Sequence, residues 1–457
     1  MALIAAHHPS VAGPVILGGG IAGIAAAVRL AQAGVPPILI ESRPYLGGRL
    51  RSFVHEGTGD EIDNGQHLLM GCYHATFQLL EALGTRGLVE LAPTLTVEFR
   101  DPDGSRDSID SPRWLPAPLN VLAGMLRLRR LTLAQRLRLL RVGMAIRSKR
   151  DQPTPAETAT EYLQRLGQSR AARARLWDQI IIATLNTPAD EASATLFAAV
   201  MRRAFLGGKT ESQLGFVRAG LSALHAPAQA FITRHGGSVM TGTPITRIEQ
   251  NGDGTWIVFL KERQPIVASH LISALPHSNL RGISPPGIIQ QIPSLAQPMP
   301  TSPIVSLYLW FNTPLHAMPM FAAMIGTGVQ WVFNKRKIMA AGNEKFPGLI
   351  SCTISAAVAE TATDAAQIVR HAEQELRGAF PELRGATLVA HQVIKEKHAT
   401  FAATPQNEAV RTGPGTLIPG LYLAGDWTGT GLPGTIEGGV QSGVAAANQL
   451  LAELPRR

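Results

Sequence analysis

Cysteine is nearly absent: Cys72 and Cys352 are the only two in 457 residues. Two thiols build no disulfide framework and form no C-x-x-C metal or redox motif, so a reducing compartment is expected. Charge is missing from the start of the chain, where apart from His7 and His8 no titratable side chain precedes Arg29. That stretch has the hydropathy of a signal or membrane segment. No basic region precedes it, however, Pro14 interrupts it, and its apolar part holds a glycine turn, so it reads as soluble core. Acids are missing between Ser111 and Arg150, which carry ten Lys and Arg. Removing those ten from the 42 basic residues leaves 32 against 33 acidic ones, or −1. The net charge of +9 is therefore local, and the expectation is no nucleic-acid partner. No metal-ligand cluster, G-x-S-x-G or pair of catalytic acids stands out, which leaves the hard chemistry to a cofactor.

What is present is concentrated first in Pro14 to Arg49. Val15, Ile16 and Leu17 form an apolar run suited to a buried parallel strand. Gly18, Gly20 and Gly23 follow as G-x-G-x-x-G. The first permits a tight turn, the second a close backbone approach to a pyrophosphate, and the third close helix–strand packing. Ile24 to Ala33 is alanine-rich and helical, and its N-terminus would aim N–H groups and partial positive charge at the phosphates. Gly34 closes the helix, Ile38 to Ile40 is the next strand, and Glu41 ends it. A carboxylate there accepts ribose hydroxyls and repels a 2′-phosphate, so the ligand is an unphosphorylated adenine dinucleotide. Gly47-Gly48-Arg49, with Ser52 three residues on, extends the site beyond what NAD requires. Arg49 supplies a fixed cation for the pyrophosphate. The dinucleotide fingerprint occurs once, so a built-in NAD(P)H domain is not expected and electrons must come from an external donor.

This pattern resembles the flavin fingerprint of the amine oxidase and phytoene desaturase superfamily, and FAD is the expected cofactor. Near the C-terminus, Gly420 to Thr428 reads as a strand ending in Ala-Gly-Asp, and Leu432 to Gly443 opens the last helix. In that superfamily the aspartate, here Asp426, hydrogen-bonds the ribityl chain. The helix N-terminus faces the N1–C2=O edge of the flavin and stabilises negative charge on its reduced form. The resemblance assigns cofactor contacts to Gly18, Gly20, Ile21, Ala22, Gly23, Glu41, Ser42, Arg43, Gly48, Arg49, Gly65, Gln66, Ile245, Ala274, Gly425, Asp426, Thr435 and Ile436. Covalent attachment in relatives uses a cysteine close before the C-terminal motif. Phe401 to Leu423 contains none, so the FAD is expected to be non-covalent.

Three segments narrow the resemblance: Asp63 to Tyr73 (DNGQHLLMGCY), Ala183 to Pro188 (ATLNTP) and Glu396 to Phe401 (EKHATF). They are similar to the squalene-associated branch, the hydroxysqualene dehydroxylases of bacterial squalene and hopanoid synthesis. The activity this implies is reductive removal of the hydroxyl of hydroxysqualene to give squalene. An allylic carbon can develop delocalised positive charge and take a hydride from flavin N5, while an acid helps the oxygen leave as water. His67 is the candidate acid. Imidazole titrates near neutral pH, so a protonated His67 needs no large pKa shift, and Asp63 sits four residues earlier to hold the ring or favour its charged form. The competing reading has His67 merely packing. Carotenoid-type desaturation and a non-catalytic prenyl-lipid carrier on the same fold are the rival functions.

The expected fold class is α/β, a doubly wound FAD-binding domain of the Rossmann-like, glutathione-reductase type with an inserted α+β substrate domain. Residues 1–75, 215–285 and 411–457 are assigned to the first, and 76–214 and 286–410 to the second. Leu68 to Leu83 reads as a helix ended by Gly84, and Thr187-Pro188 as a helix start. Trp310, Phe311, Trp331 and Phe333 are candidates for an aromatic wall. Within the basic insertion, 113–150, Thr132 and Gln135 form a capping box. The helix it starts sets Leu133, Leu137, Leu140 and Met144 on one face, flanked by Arg136, Arg141 and Arg147. It reads either as a helix packed on its own domain or as a membrane-surface element admitting an apolar substrate. The second reading places the protein in the cytoplasm, peripherally bound at the inner face of the cell membrane.

Overall fold

The structure is a computed structural model that describes residues 11–148, 150–339 and 342–455. His7, His8 and Lys149 lie outside the described residues. Its organising layer is a five-stranded parallel sheet in the order Ser238–Met240, Ile38–Ile40, Val15–Leu17, Leu271–Ser273, Leu421–Leu423. Val15, Ile16 and Leu17 are wholly buried, as strands covered on both faces must be. Each such aliphatic side chain contributes ~1.5–3 kcal/mol relative to exposure. The helix after the glycine turn spans Ile21–Gln32, three residues earlier than its alanine run suggests, because Gly20 already serves as its N-cap.

The last helix, Ile436–Glu453, packs against that first helix at a separation only glycine allows. A Cβ on Gly443 would lie 2.0 Å from the carbonyl oxygen of Ala22. The N-terminus of helix His74–Leu83 is tied to the same unit: the buried Glu437 carboxylate accepts from the N–H groups of Ala75 and Thr76 and from the Thr76 hydroxyl.

A second sheet of seven strands runs in the order Leu388–Phe401, Thr301–Phe311, Gly348–Ser355, Trp331–Asn334, Phe321–Met324, Thr96–Arg100, Arg106–Asp110. One face is covered by helix Ala365–Ala379, whose Ile368, Ala372 and Leu376 pack with Leu307, Leu309, Phe311 and Ile350. From the other face Tyr308, Trp310 and Leu349 close on Ile62 of the short strand Glu61–Asp63.

Several local expectations change in three dimensions. Leu69–Met70 is a strand paired with Leu214 and Gly215, and the helix begins only at His74. Gly71 continues that pairing, its N–H donating to the Gln213 carbonyl, and it packs so closely that a Cβ would lie 1.8 Å from the Thr210 carbonyl oxygen. Thr187-Pro188 is a turn rather than a helix start. The Thr187 hydroxyl is engaged by Leu185 and Ala403, and the next helix starts at Ala194 under a Ser193 cap. Trp310 and Phe311 are both core, while Trp331 and Phe333 join Phe321 in a stacked cluster.

The basic insertion folds into helices Leu119–Leu126 and Leu133–Arg147, with the Thr132–Gln135 capping box formed. The second helix carries two apolar faces. Leu139, Val142, Ala145 and Ile146 are buried, whereas Leu133, Leu137 and Met144 are 70%, 53% and 64% exposed. Arg136 does not flank the outer face as a free cation, because its guanidinium donates to the carbonyls of Leu131 and Leu126 at the end of the preceding helix. Among the described residues no helix is long and apolar enough to cross a membrane.

The helix–helix contact yields a stability prediction. Gly443→Ala should lower the unfolding free energy by about 1–3 kcal/mol, the range for overpacking. Gly282→Ala, in helix His277–Ile283 with an added methyl that meets nothing within 4 Å, should instead raise it by up to about 1 kcal/mol through helix propensity in the same denaturant titration.

Candidate functional site

The glycine turn is built as its spacing implies. Gly18 takes φ +101° against Ala274, and a Cβ on Gly23 would strike the Gly18 carbonyl oxygen at 1.9 Å. Gly20 differs: a Cβ there would meet nothing within 4 Å. Its residue offers no side-chain cap to the helix it starts, so the first-turn N–H groups beside Ile21 and Ala22 keep their anion-binding character. Glu41 reaches across the turn, with Oε2 accepting from Gly19 N–H at 2.7 Å and Oε1 from Arg43 N–H at 2.8 Å and the Ser42 hydroxyl at 3.0 Å. The segment leading to Ile245 is tied to the same place, since Thr243 N–H donates to the Glu41 carbonyl. Gly48 lies against Gly20, where a Cβ would be 3.1 Å from the Gly20 Cα. Open space at Gly20, an uncapped helix end and a ribose-type acid fit an adenine dinucleotide.

Arg49 and Asp426, 377 positions apart, form a two-armed ion pair at 2.6 and 3.0 Å. Asp426 raises the basicity of Arg49 in return. The same guanidinium donates to the carbonyl of Ala399. Gly425, at φ +128°, directs its N–H to the Ser442 hydroxyl at 2.7 Å, and Thr435 caps the last helix just before Ile436. Two of the segments carrying the narrower resemblance meet here. Asn186 donates to the Thr400 hydroxyl at 3.0 Å, and Ala403 N–H to the Thr187 hydroxyl at 2.9 Å. A Cβ on Gly434 would touch Thr400 and Asp426 alike.

The third segment contributes Asp63 to His67. Asp63 is buried, with Oδ1 accepting from the Ser52 hydroxyl at 2.7 Å and Leu221 N–H at 2.9 Å, and its own N–H donating to the Tyr308 hydroxyl at 3.2 Å. Its other oxygen faces a residue that the sequence reading passed over. Lys335, 2% exposed, sets Nζ 3.2 Å from Asp63 Oδ2 and 3.0 Å from Gln66 Oε1. The next residue, Arg336, makes two 2.7 Å bonds to Asp60, which also accepts from the Trp310 indole at 2.7 Å. Burial pushes the Asp60 carboxyl up, but these hydrogen bonds outweigh it and hold the group below the usual carboxylate range. The only sequence signal was the run Lys335-Arg336-Lys337, a pattern that usually marks a solvated surface. Nearby, Asn64 Oδ1 is buried without a protein partner.

His67 is not poised as an imidazolium. Burial lowers its basicity most, Asp63 opposes that, and Arg49 and Lys335 add to the lowering. Asp63 does not hold the ring by a hydrogen bond but spends its oxygens on Ser52, Leu221 and Lys335. The expectation of a protonated His67 without a pKa shift is therefore corrected: the resting imidazole is neutral at neutral pH.

A buried aromatic cluster precedes Lys335 in the chain. Phe321 stacks on Trp331 and Phe333 and meets Phe216 at 5.6 Å between ring centres. The Trp331 indole N–H is buried without a protein acceptor. A small cavity of about 30 Å³ is lined by Met70, Cys72, Tyr73, Leu432 and Thr435 among others. Burial pushes the Cys72 thiol up to about 12, so it is no nucleophile. Among the described residues no group of three or more His, Cys, Asp or Glu is placed to hold a metal ion.

Comparison with known proteins places this arrangement. Residues 21–451 match the family of flavin containing amine oxidoreductases. A hydroxysqualene dehydroxylase of Rhodopseudomonas palustris is 32% identical over 453 residues, covering 96% of this chain and 98% of that protein. A 15-cis-phytoene desaturase of Synechococcus elongatus is 26% identical, covering 97% of each. Among solved structures, an oxidoreductase from Methanosarcina mazei superposes with a TM-score of 0.72 at 17% identity, covering 96% of this chain and all of that one. Sequence, fold and site chemistry agree: the chain belongs to the flavin containing amine oxidoreductases, as a flavin-dependent oxidoreductase of the hydroxysqualene dehydroxylase group.

Proposed function

We propose that this protein binds FAD non-covalently and reduces hydroxysqualene to squalene at a membrane surface, with electrons from an external donor. The observation that carries the reading is the meeting of two family segments, at Asn186–Thr400, beside the Arg49–Asp426 pair, with the third supplying Asp63 to His67. Gly18, Gly20, Gly23 and Glu41 would hold the adenosine diphosphate half, and Asp426 with the start of the last helix the flavin half. Bound reduced FAD supplies two electrons as a hydride. The chain's own part is to bring the allylic C–O bond to that site, exclude water with the Phe321–Trp331–Phe333 cluster, and deliver a proton to the departing oxygen. The C–O bond breaks, a C–H bond forms, and the oxygen leaves as water.

His67 is the proposed proton carrier. Because its basicity is depressed, the imidazolium is a minor form at pH 7 but a stronger acid. A step that depends on it should quicken as pH falls toward a value below the ordinary 6.5 and slow as pH rises through that value. Membrane contact is assigned to the outer face of helix Leu133–Arg147. Exposed Leu133, Leu137 and Met144 and the nearby Trp114, 77% exposed, share that insertion with the exposed Arg138, Arg141 and Arg147. Apolar side chains flanked by Arg141 and Arg147 suit an anionic lipid surface, where each basic residue contributes about 1 kcal/mol. A squalene-like substrate dissolves in that phase, on the inner face of the cell membrane.

Acid precipitation should release all the flavin as FAD to the supernatant, and a yellow pellet would contradict non-covalent binding. Chemically reduced enzyme mixed anaerobically with hydroxysqualene should be reoxidised and yield squalene. His67→Ala with full flavin content should slow that reoxidation by at least about a hundredfold, whereas a loss under about tenfold assigns His67 to packing. Sedimentation with anionic vesicles should decline with salt and again in an Arg141, Arg147 double alanine variant, Arg136 being tied to backbone carbonyls. Equal binding by wild type and variant removes the membrane assignment.

A further inference from the structure

Lys335 has no role in the reaction as outlined, yet it is among the largest side chains with less than 2% relative exposure. Stability alone does not explain it, because buried ion pairs are often replaced by apolar residues without loss. Asp63 engages it through Oδ2 alone, its Oδ1 already accepting two hydrogen bonds from Ser52 and Leu221. Gln66 is the informative neighbour. With Oε1 drawn to the Lys335 ammonium at 3.0 Å, its amide must turn Nε2 the other way, where it donates to the His67 carbonyl at 3.1 Å. One lysine, arriving from the seven-stranded sheet at the end of strand Trp331–Asn334, thereby sets the side chain beside His67. The charged groups that face His67 come from three elements. Asp63 lies on its own segment, Arg49 follows the glycine turn with Asp426 and Glu396 beside it, and Lys335 comes from the sheet.

We propose that Lys335 is a positioning residue of the reaction site: its ammonium locks the Gln66 amide between itself and the His67 backbone and sets the electrostatic surroundings of the His67 ring. The inference rests on the reading of residues 63–67 as the polar end of that site. No bond to Lys335 is made or broken. Its effect passes through Gln66 and His67. The depressed basicity of His67, to which Lys335 contributes, agrees with this geometry.

The test is a titration of His67 by NMR in flavin-loaded protein carrying ¹³C-labelled histidine, with the signal assigned from a His67→Gln variant. Removing a neighbouring positive charge favours the imidazolium, so Lys335→Met should raise the His67 midpoint. Lys335→Arg should return it toward the wild-type value. The pH profile of flavin reoxidation by hydroxysqualene should move the same way. A midpoint unchanged in Lys335→Met, or shifted as much by Lys335→Arg, would overturn the proposal. Lys335→Met leaves Asp63 buried without its cation, and that variant can fail to fold. The comparison then runs from Asp63→Asn to the Asp63→Asn/Lys335→Met double variant, which strands no charge. The midpoint should rise on adding the second change, and no rise overturns the proposal. The titration needs no turnover, so its outcome stands apart from whether hydroxysqualene is the substrate.

Discussion

The rest of the structure depends on how closely the first and last helices approach. The Ala22 carbonyl oxygen stands 2.0 Å from where a Gly443 Cβ would be, so no other residue fits without parting the helices. That contact brings a C-terminal segment against an N-terminal glycine turn and sets Leu421–Leu423 at the edge of the sheet begun by Val15–Leu17 and extended by Leu271–Ser273. Arg49 and Asp426, from these two ends, pair across it.

A second constraint joins the seven-stranded sheet to this unit. Lys335 and Arg336, adjacent in sequence, reach Asp63 and Asp60 on the short strand Glu61–Asp63 and the turn before it. Both pairs are largely shielded from water. Removing one partner of such a pair leaves an uncompensated charge and costs about 3–5 kcal/mol, so the clamp resists sliding of one sheet against the other. Trp310 adds an indole N–H to Asp60, and Tyr308 a hydroxyl to the Asp63 backbone. The polar loop that follows, Asn64 to His67, is therefore held from both sides.

The basic insertion illustrates a different balance. Helix Leu133–Arg147 has enough apolar residues for two faces and buries only one. Burying Leu139, Val142 and Ile146 holds it on the protein, and Leu133, Leu137 and Met144 have no protein to cover them. Arg136 belongs to the fold rather than to the outer surface, since it satisfies carbonyls at the end of the neighbouring helix. Periodicity finds apolar faces but does not say which of two faces turns inward.

Local rules made much of this legible beforehand. Gly18 takes a positive φ and Gly23 packs on the Gly18 carbonyl oxygen, both demands set within a few residues, while Gly20 leaves open space for a ligand; Glu41 ends the strand that follows, so the dinucleotide turn could be read from spacing alone. The Thr132–Gln135 box and the Gly84 stop are equally local. Other features were closed to the sequence because they are set by partners distant in the chain. A Leu69–Met70 strand exists only because Leu214 and Gly215 lie beside it. The Thr187 hydroxyl turns away from capping because Ala403 N–H claims it. Lys335 is buried because Asp63, 272 positions earlier, compensates its charge. His67 follows the same logic: its residue type advertises titration near neutrality, but burial and the charges of Arg49 and Lys335, none of them sequence neighbours, decide where it titrates. The sequence determined the cofactor turn because backbone sterics act over a few bonds. Tertiary structure alone decided the polar end of the site, because charge and desolvation act through space.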